Sequence, residues 1–290
     1  MSAAHVHLQP WSLPRVTTSV LVITAFLYLR GWLRLRSGFP DVIPTWRLAS
    51  FMSGLVSVWT VVASPLAPLD HRSLTVHMVK HLLLMTVAAP LVLAGRPGLA
   101  LLGLLSKHLV QSDVRNGPAQ WLIRCRHSWV CWLAATAIVI GWHLPVAFQL
   151  AMRSRWVHNV EDACFLLGGL LFWWPVVQPL PAATSSPRWH VALYLFMATL
   201  PCDILSAFLV FCNRLAYPYY LQATQLFSLS PLQDQQCAGA LMWVWVTFAY
   251  LIPAVVITMQ ILSPRGGGDS SRAVQPAWPI LAVRSLNTQR

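Results

Sequence analysis

Charge is scarce in this sequence. Asp, Glu, Lys and Arg make up 10% of its 290 residues, and only eight are acidic. A soluble domain carries about 25% charged residues, so the polar coat that a water-facing fold needs is missing. Six cysteines occur (Cys125, Cys131, Cys164, Cys202, Cys212 and Cys237), yet no Cys-x-x-Cys pair. That excludes a redox dithiol and a zinc-finger spacing. There is no glycine-rich phosphate loop and no nucleophile–base pair, so the protein is not expected to be an enzyme. No dense basic run with interleaved aromatics accompanies the net charge of +12. Nucleic acid is therefore not an expected partner.

What is present is apolar and comes in blocks. Hydrophobic residues make up 57% of the chain. A helix needs about 20 apolar residues to cross the hydrocarbon core. Helices also satisfy their own backbone hydrogen bonds in lipid, as open sheets cannot. Seven blocks are long enough to consider: 16–33, 46–63, 74–95, 129–149, 157–177, 190–212 and 237–262. The expected fold class is all-α, a polytopic membrane bundle of about seven helices. Residues 1–15 form an outer amino-terminal segment, 16–262 the transmembrane domain, and 263–290 a disordered cytoplasmic tail. The first block has no small-residue cleavage site after it and reads as a retained helix. Kinks are expected at Pro90, Pro145, Pro201 and Pro253.

Candidate chemistry gathers toward one end of these helices. His77, His81 and Met85 are spaced by four and form one stripe on the third helix. His143 closes the fourth block in the run Trp142-His-Leu-Pro145. His158, Glu161 and Asp162 open the fifth. Imidazole and thioether donors together suit copper, so His77, His81, His143, His158 and Met85 are candidate ligands, with Met78 nearby. The competing reading is that these histidines only hydrogen-bond between helices. Lys80 needs an acidic partner at that depth, and Glu161 or Asp203 is expected to supply it. Cys212 and Cys237 are extra ligands, a disulfide, or small apolar fillers. His5 and His7 form a weak His-x-His pair. The tryptophans, including Trp142, Trp173, Trp174 and Trp243, read as interfacial belts and packing.

At this point the motifs converge. SPLAPLDHRSLTVHMVKHLLLMTVAAPLVLAGRP, GWHLP, VHNVEDACFLLGGLLFWWPVV, LYLFMATLPCDILSAFLVF and LAYPYYLQATQLFSLSPLQDQQCAGALMWV occur in matching order over residues 45–262. Together they resemble the multi-span cytochrome c oxidase assembly factor CtaG, not the single-span copper chaperone that shares the name. The resemblance implies a seven-helix protein of the bacterial plasma membrane that helps build haem–copper oxidase by handling copper, with the oxidase subunits as partners. The matched positions are His77, His81, His143, His158, Glu161, Asp234 and Gln235. Three positions depart from the family pattern. Asp162 stands where a histidine is common, Lys80 where glutamine is common, and Asn213 where aspartate is common. The runner-up is a haem-binding membrane cytochrome or haem-handling protein with paired histidines. A small-molecule transporter would show broken helices in two related halves, and no such symmetry is visible.

The working face is expected at the outer ends of helices three to seven, under the loop 213–236 that carries Asp234 and Gln235. Orientation follows from Lys and Arg. Five (Arg15, Arg72, Arg153, Arg155 and Arg214) fall on the amino-terminal side of a seven-span bundle and fourteen on the other, Lys80 being intramembrane. The basic side faces the cytoplasm, which leaves the amino terminus outside. A reporter active only in the cytoplasm, fused after Arg290, is expected to be active. Activity of an export-dependent reporter at that position would reverse the orientation.

Overall fold

The structure, a computed structural model, describes residues 14–38, 43–64, 67–105, 128–177, 189–222 and 228–262. Among these residues there is helix and no strand. The elements are α1 (Arg15–Arg36), α2 (Thr45–Val62), a 3-10 turn (Ala67–His71), α3 (Leu74–Ala94), α4 (Pro97–Leu105), α5 (Ser128–His143), α6 (Pro145–Arg153), α7 (Arg155–Val177), α8 (Trp189–Phe211), a second 3-10 turn (Pro218–Leu221) and α9 (Pro231–Leu262).

Five of these helices (α1, α3, α7, α8 and α9) are long and apolar enough to cross a membrane. A sixth crossing arises if α5 and α6 are taken as one bent span. The expected block 46–63 is present as α2, but Arg47, Ser50, Ser53 and Ser57 make it less apolar than the five. The outward faces suit lipid: Ile204 and Phe208 on α8, and Val244, Phe248 and Ile252 on α9, are exposed. The loops 106–127 and 178–188, the termini that hold His5 and His7, and the tail from 263 lie outside the described residues.

Proline shapes two of the helices that build the site. The expected block 129–149 is not one helix. It breaks at Leu144, and α6 leaves α5 at 71°. Pro145 sits in the first turn of α6, where its missing N–H costs nothing and its fixed φ favours a restart. In α3 the residues Leu84–Ala88 form one turn of π-helix. It lies just before Pro90, which has no N–H for the carbonyl four residues back and crowds it. Pro201 and Pro253 lie inside α8 and α9 without ending them. Helix α9 begins at Pro231, so Asp234 and Gln235 belong to its first turns and not to the preceding loop.

Packing centres on α3. It touches α2, α7 and α9, while α8 lies along α9 and α5 along α7. At the π turn the backbones of α3 and α7 come close, because a Cβ added to Gly169 would stand 2.8 Å from the Met85 Cα. Trp173 Nε1 donates to the Met85 carbonyl at 2.9 Å, taking up a group that the irregular turn releases. A second, smaller cluster of Tyr28, Trp32, Leu35, Phe51 and Ala100 joins α1, α2 and α4. Tyr28 fixes it by donating to the Gly95 carbonyl at 2.7 Å.

Gly169→Ala should cost about 1–3 kcal/mol, because it meets backbone that cannot swing aside. Gly98→Ala, with no atom within 4 Å of the added Cβ, should be neutral or mildly stabilising. Thermal unfolding in detergent would check the pair, and equal midpoints would refute the close approach.

Candidate functional site

The charged and imidazole groups of α3, α5 and α7 meet at one end of the bundle and are almost wholly buried. Asp70, His77, Lys80, His81, His143, His158, Glu161 and Asp162 are each 9% exposed or less. Burying this many ionisable groups is tolerable only if they pair. The chain arranges it as follows. Asp70 comes from the turn before α3 and meets the Lys80 ammonium in a direct ion pair. Asp162 Oδ2 lies 3.5 Å from the same ammonium. His158 is held between two carboxylates, with Nε2 2.9 Å from Asp70 Oδ2 and Nδ1 3.1 Å from Glu161 Oε2. Lys80 Nζ stands 3.1 Å from His158 Nε2, so the ammonium and the ring share the Asp70 carboxylate.

His77 and His81 complete the centre from α3. His77 Nε2 lies 3.6 Å from Glu161 Oε1, and His81 Nε2 lies 3.6 Å from Asp162 Oδ1. Their ring centres are 4.4 Å apart, and His81 stacks on Phe165 at 3.7 Å. Two donor sets could converge on one ion: Asp70, His77 and His158, and His77, His81 and Glu161, with ligand atoms within 4.8 Å of one another in each. His143 stands apart from the carboxylates. Its Nδ1 donates to the Val139 carbonyl at 2.7 Å, and its Nε2 faces Met78 Sδ at 3.3 Å. Met78, Met85, His81 and His143 line a cavity of about 30 Å³ immediately below.

Asp70 lies outside the spans. Burial alone would raise its carboxyl, but the hydrogen bond from His158 and the Lys80 charge outweigh that and hold it far below the usual carboxylate range. Tyr220 donates to the Asp70 carbonyl at 2.8 Å, and Tyr217 donates to the His143 carbonyl at 2.9 Å. Burial pushes both phenols above their ordinary range. The segment that carries Tyr217 and Tyr220, after α8, is thus pinned over the centre. His71, less buried, reaches toward Tyr219 at the edge of this cover.

Lys80 has acidic partners, but they are Asp70 and Asp162 rather than the expected Glu161 or Asp203. Asp203 sits on α8, with Oδ1 lacking a partner. Asp234 accepts from the Ser73 hydroxyl at 2.9 Å, the Leu74 N–H at 2.6 Å and the Thr75 hydroxyl at 2.7 Å, so it caps α3 from α9. Gln235 accepts from the Ala216 N–H at 2.7 Å and donates to the Arg214 carbonyl at 3.2 Å. Asp234 thus ties α9 to α3 and Gln235 ties the segment after α8 to α9, and neither hydrogen-bonds to a histidine among the described residues. Cys212 and Cys237 are free thiols, the latter exposed. The sequence reading missed Asp70. Its signal was an acidic residue ten positions before an intramembrane lysine, at the foot of the same helix.

A sequence model of the cytochrome c oxidase caa3 assembly factor family matches residues 26–263. An uncharacterized protein of Mycobacterium leprae is 23% identical over 91% of this chain and 41% of its own length. Uncharacterized proteins of Mycobacterium bovis and Mycobacterium tuberculosis are each 24% identical over 86% of this chain and 39% of their own length. The chain therefore spans about two fifths of the curated relatives it matches. No solved structure matches it.

Removing one member of a buried pair strands the other and costs about 3–5 kcal/mol. Lys80→Met and Asp70→Asn should each destabilise strongly, and the double variant by less than their sum. A double-mutant cycle on thermal stability gives the coupling, and strictly additive effects would show that the pair is not formed.

Proposed function

The chain belongs to the cytochrome c oxidase caa3 assembly factor family, and from that premise we propose that it handles copper for the oxidase while the catalytic subunit is built. The observation that carries this reading is the convergence of His77, His81 and His158, from α3 and α7, in one buried centre, with His143 of α5 buried beside it in the cavity that His81 also lines. Four imidazoles at one end of a membrane bundle offer borderline donors that suit copper. The bound ion is cargo and the protein a carrier, so no bond of a substrate needs to be made or broken.

The chain's own residues then divide the work. His158 and Lys80 hold the carboxylates in place while no metal is present. A metal competes with protons for imidazole lone pairs, so uptake is favoured as pH rises. Tyr217, Tyr220, Asp234 and Gln235 fix the cover that separates the centre from solvent. We place this end on the outer face of a bacterial plasma membrane in a seven-span bundle, with α2 and the bent α5–α6 pair completing the seven. The charge bias of the loops supports that orientation.

A haem reading fits the geometry less well. A porphyrin needs two imidazoles facing across a wide slot. Here the ring centre of His77 lies 4.4 Å from that of His81 and 5.7 Å from that of His158, with Glu161 contacting both His77 and His158.

In cells that depend on this protein for oxidase, His77→Ala and His81→Ala should leave its membrane level unchanged and lower oxidase activity by about tenfold or more. The copper content of the purified oxidase should fall with it. Normal copper content in both variants would overturn the copper role, and normal activity would remove the histidines from function.

A further inference from the structure

The ionic cluster already has its partners. Lys80 and the His158 ring occupy the carboxylates of Asp70, Glu161 and Asp162. An arriving metal would have to evict one of them. The cavity beneath is different in kind. Its sulfur and nitrogen lining comes from Met78, Met85, Met242, His81, His143 and Cys202, and its volume is about 30 Å³.

Inside it, His143 places Nε2 against a thioether. Nδ1 lies 2.7 Å from the Val139 carbonyl, which can only accept, so the ring proton sits on Nδ1. In the neutral ring Nε2 then carries a bare lone pair. It faces Met78 Sδ at 3.3 Å, and a thioether has no proton to give. In that tautomer two lone pairs face each other in a buried site, and a cation between them would turn this repulsion into two bonds. Nitrogen and sulfur donors ligate zinc at about 2.0–2.3 Å. At comparable lengths, two donors with this separation would subtend roughly a right angle at a shared ion. A second feature supports the site independently: Met85, another of its thioethers, lies in the π turn, which Trp173 and the close approach of Gly169 clamp in place.

We propose that this cavity is a distinct binding site for a soft monovalent cation of the Cu(I) class, held by His143, Met78 and Met85 with Met242 beside them. The donors are neutral and soft, which selects such an ion over a hard dication. His81 lines the cavity and faces Asp162 at 3.6 Å, so it connects the site to the carboxylates of the adjacent cluster. The ionic cluster is then the entrance and the thioether cavity the resting place. The proposal deepens the copper reading and rests on it for the biological ion, but the donor chemistry stands without it.

Ag(I), a redox-inert ion of the same class, is the probe. Purified full-length protein in detergent, titrated calorimetrically with Ag(I) alone, should bind one ion per chain. The Met78→Leu/Met85→Leu double variant should bind it about tenfold more weakly or worse. Met259→Leu, which alters an exposed thioether on α9 that does not line the cavity, should keep the affinity within about twofold of the parent, well inside that shift. Carbon-13 methyl labelling of methionine gives a second readout that does not depend on a variant folding. The Met78 and Met85 methyl resonances should shift on Ag(I) addition, and those of Met52 and Met259 should not. Unchanged affinity in the double variant, or unmoved Met78 and Met85 methyls while Ag(I) binds, overturns the proposal. So does the absence of Ag(I) binding. Failure of the wider reading looks different: the site binds Ag(I) as described, yet oxidase copper content in cells is indifferent to His77 and His81.

Discussion

The arrangement depends on the requirement that charge buried in a bundle be paired. Lys80 enters the interior on α3, and its ammonium can remain there only because Asp70 and Asp162 approach it from two directions. Asp70 belongs to the turn that precedes α3, and Asp162 to α7. One ammonium therefore fixes the angle at which the chain enters α3 and the depth at which α7 packs against it. His158 extends the same logic by joining Asp70 to Glu161. Remove this ionic knot and the histidines lose the scaffold that gathers them.

Secondary supports follow from the first. The N-terminal amides of α3 need acceptors, and Asp234 supplies them from α9, ahead of the Ser73 cap on the same turn. The phenols of Tyr217 and Tyr220 find backbone carbonyls at the ends of the helices they cover. Each of these side chains satisfies a polar group that an exposed helix end would leave to water. The cover and the centre are therefore one hydrogen-bonded body rather than a loop laid over a pocket.

Much of this was legible in the sequence for physical reasons. The four-residue spacing of His77, His81 and Met85 has to produce a stripe, and the apolar blocks have to be helices. What escaped was long-range. No local pattern pairs Lys80 with Asp70, because that contact requires the turn Ala67–His71 to fold back on α3. The role of Asp234 was misread for a related reason: a carboxylate after Pro231 looks like a loop residue until the helix is seen to begin at that proline. The bend at Pro145 was signalled by the residue itself, but its 71° angle was not. Met78 looked secondary because it lies off the histidine stripe, and only the orientation of His143 brings it forward.

The π turn in α3 has one more consequence. An α-helix advances about 100° per residue, and a π turn holds one residue more than the ladder around it. Leu84–Ala88 thus offsets the angular phase of the lower half of α3 from that of the upper half. The histidines above and Val92 below, which packs near Gly54 of α2, need not share a common face as a regular helix would oblige them to. Deleting a single residue from this turn would rewind the helix and turn one half by about a quarter of a rotation against the other. The binding end and the α2-contacting end would then be out of step, so the length of this segment is fixed as firmly as the identity of any ligand.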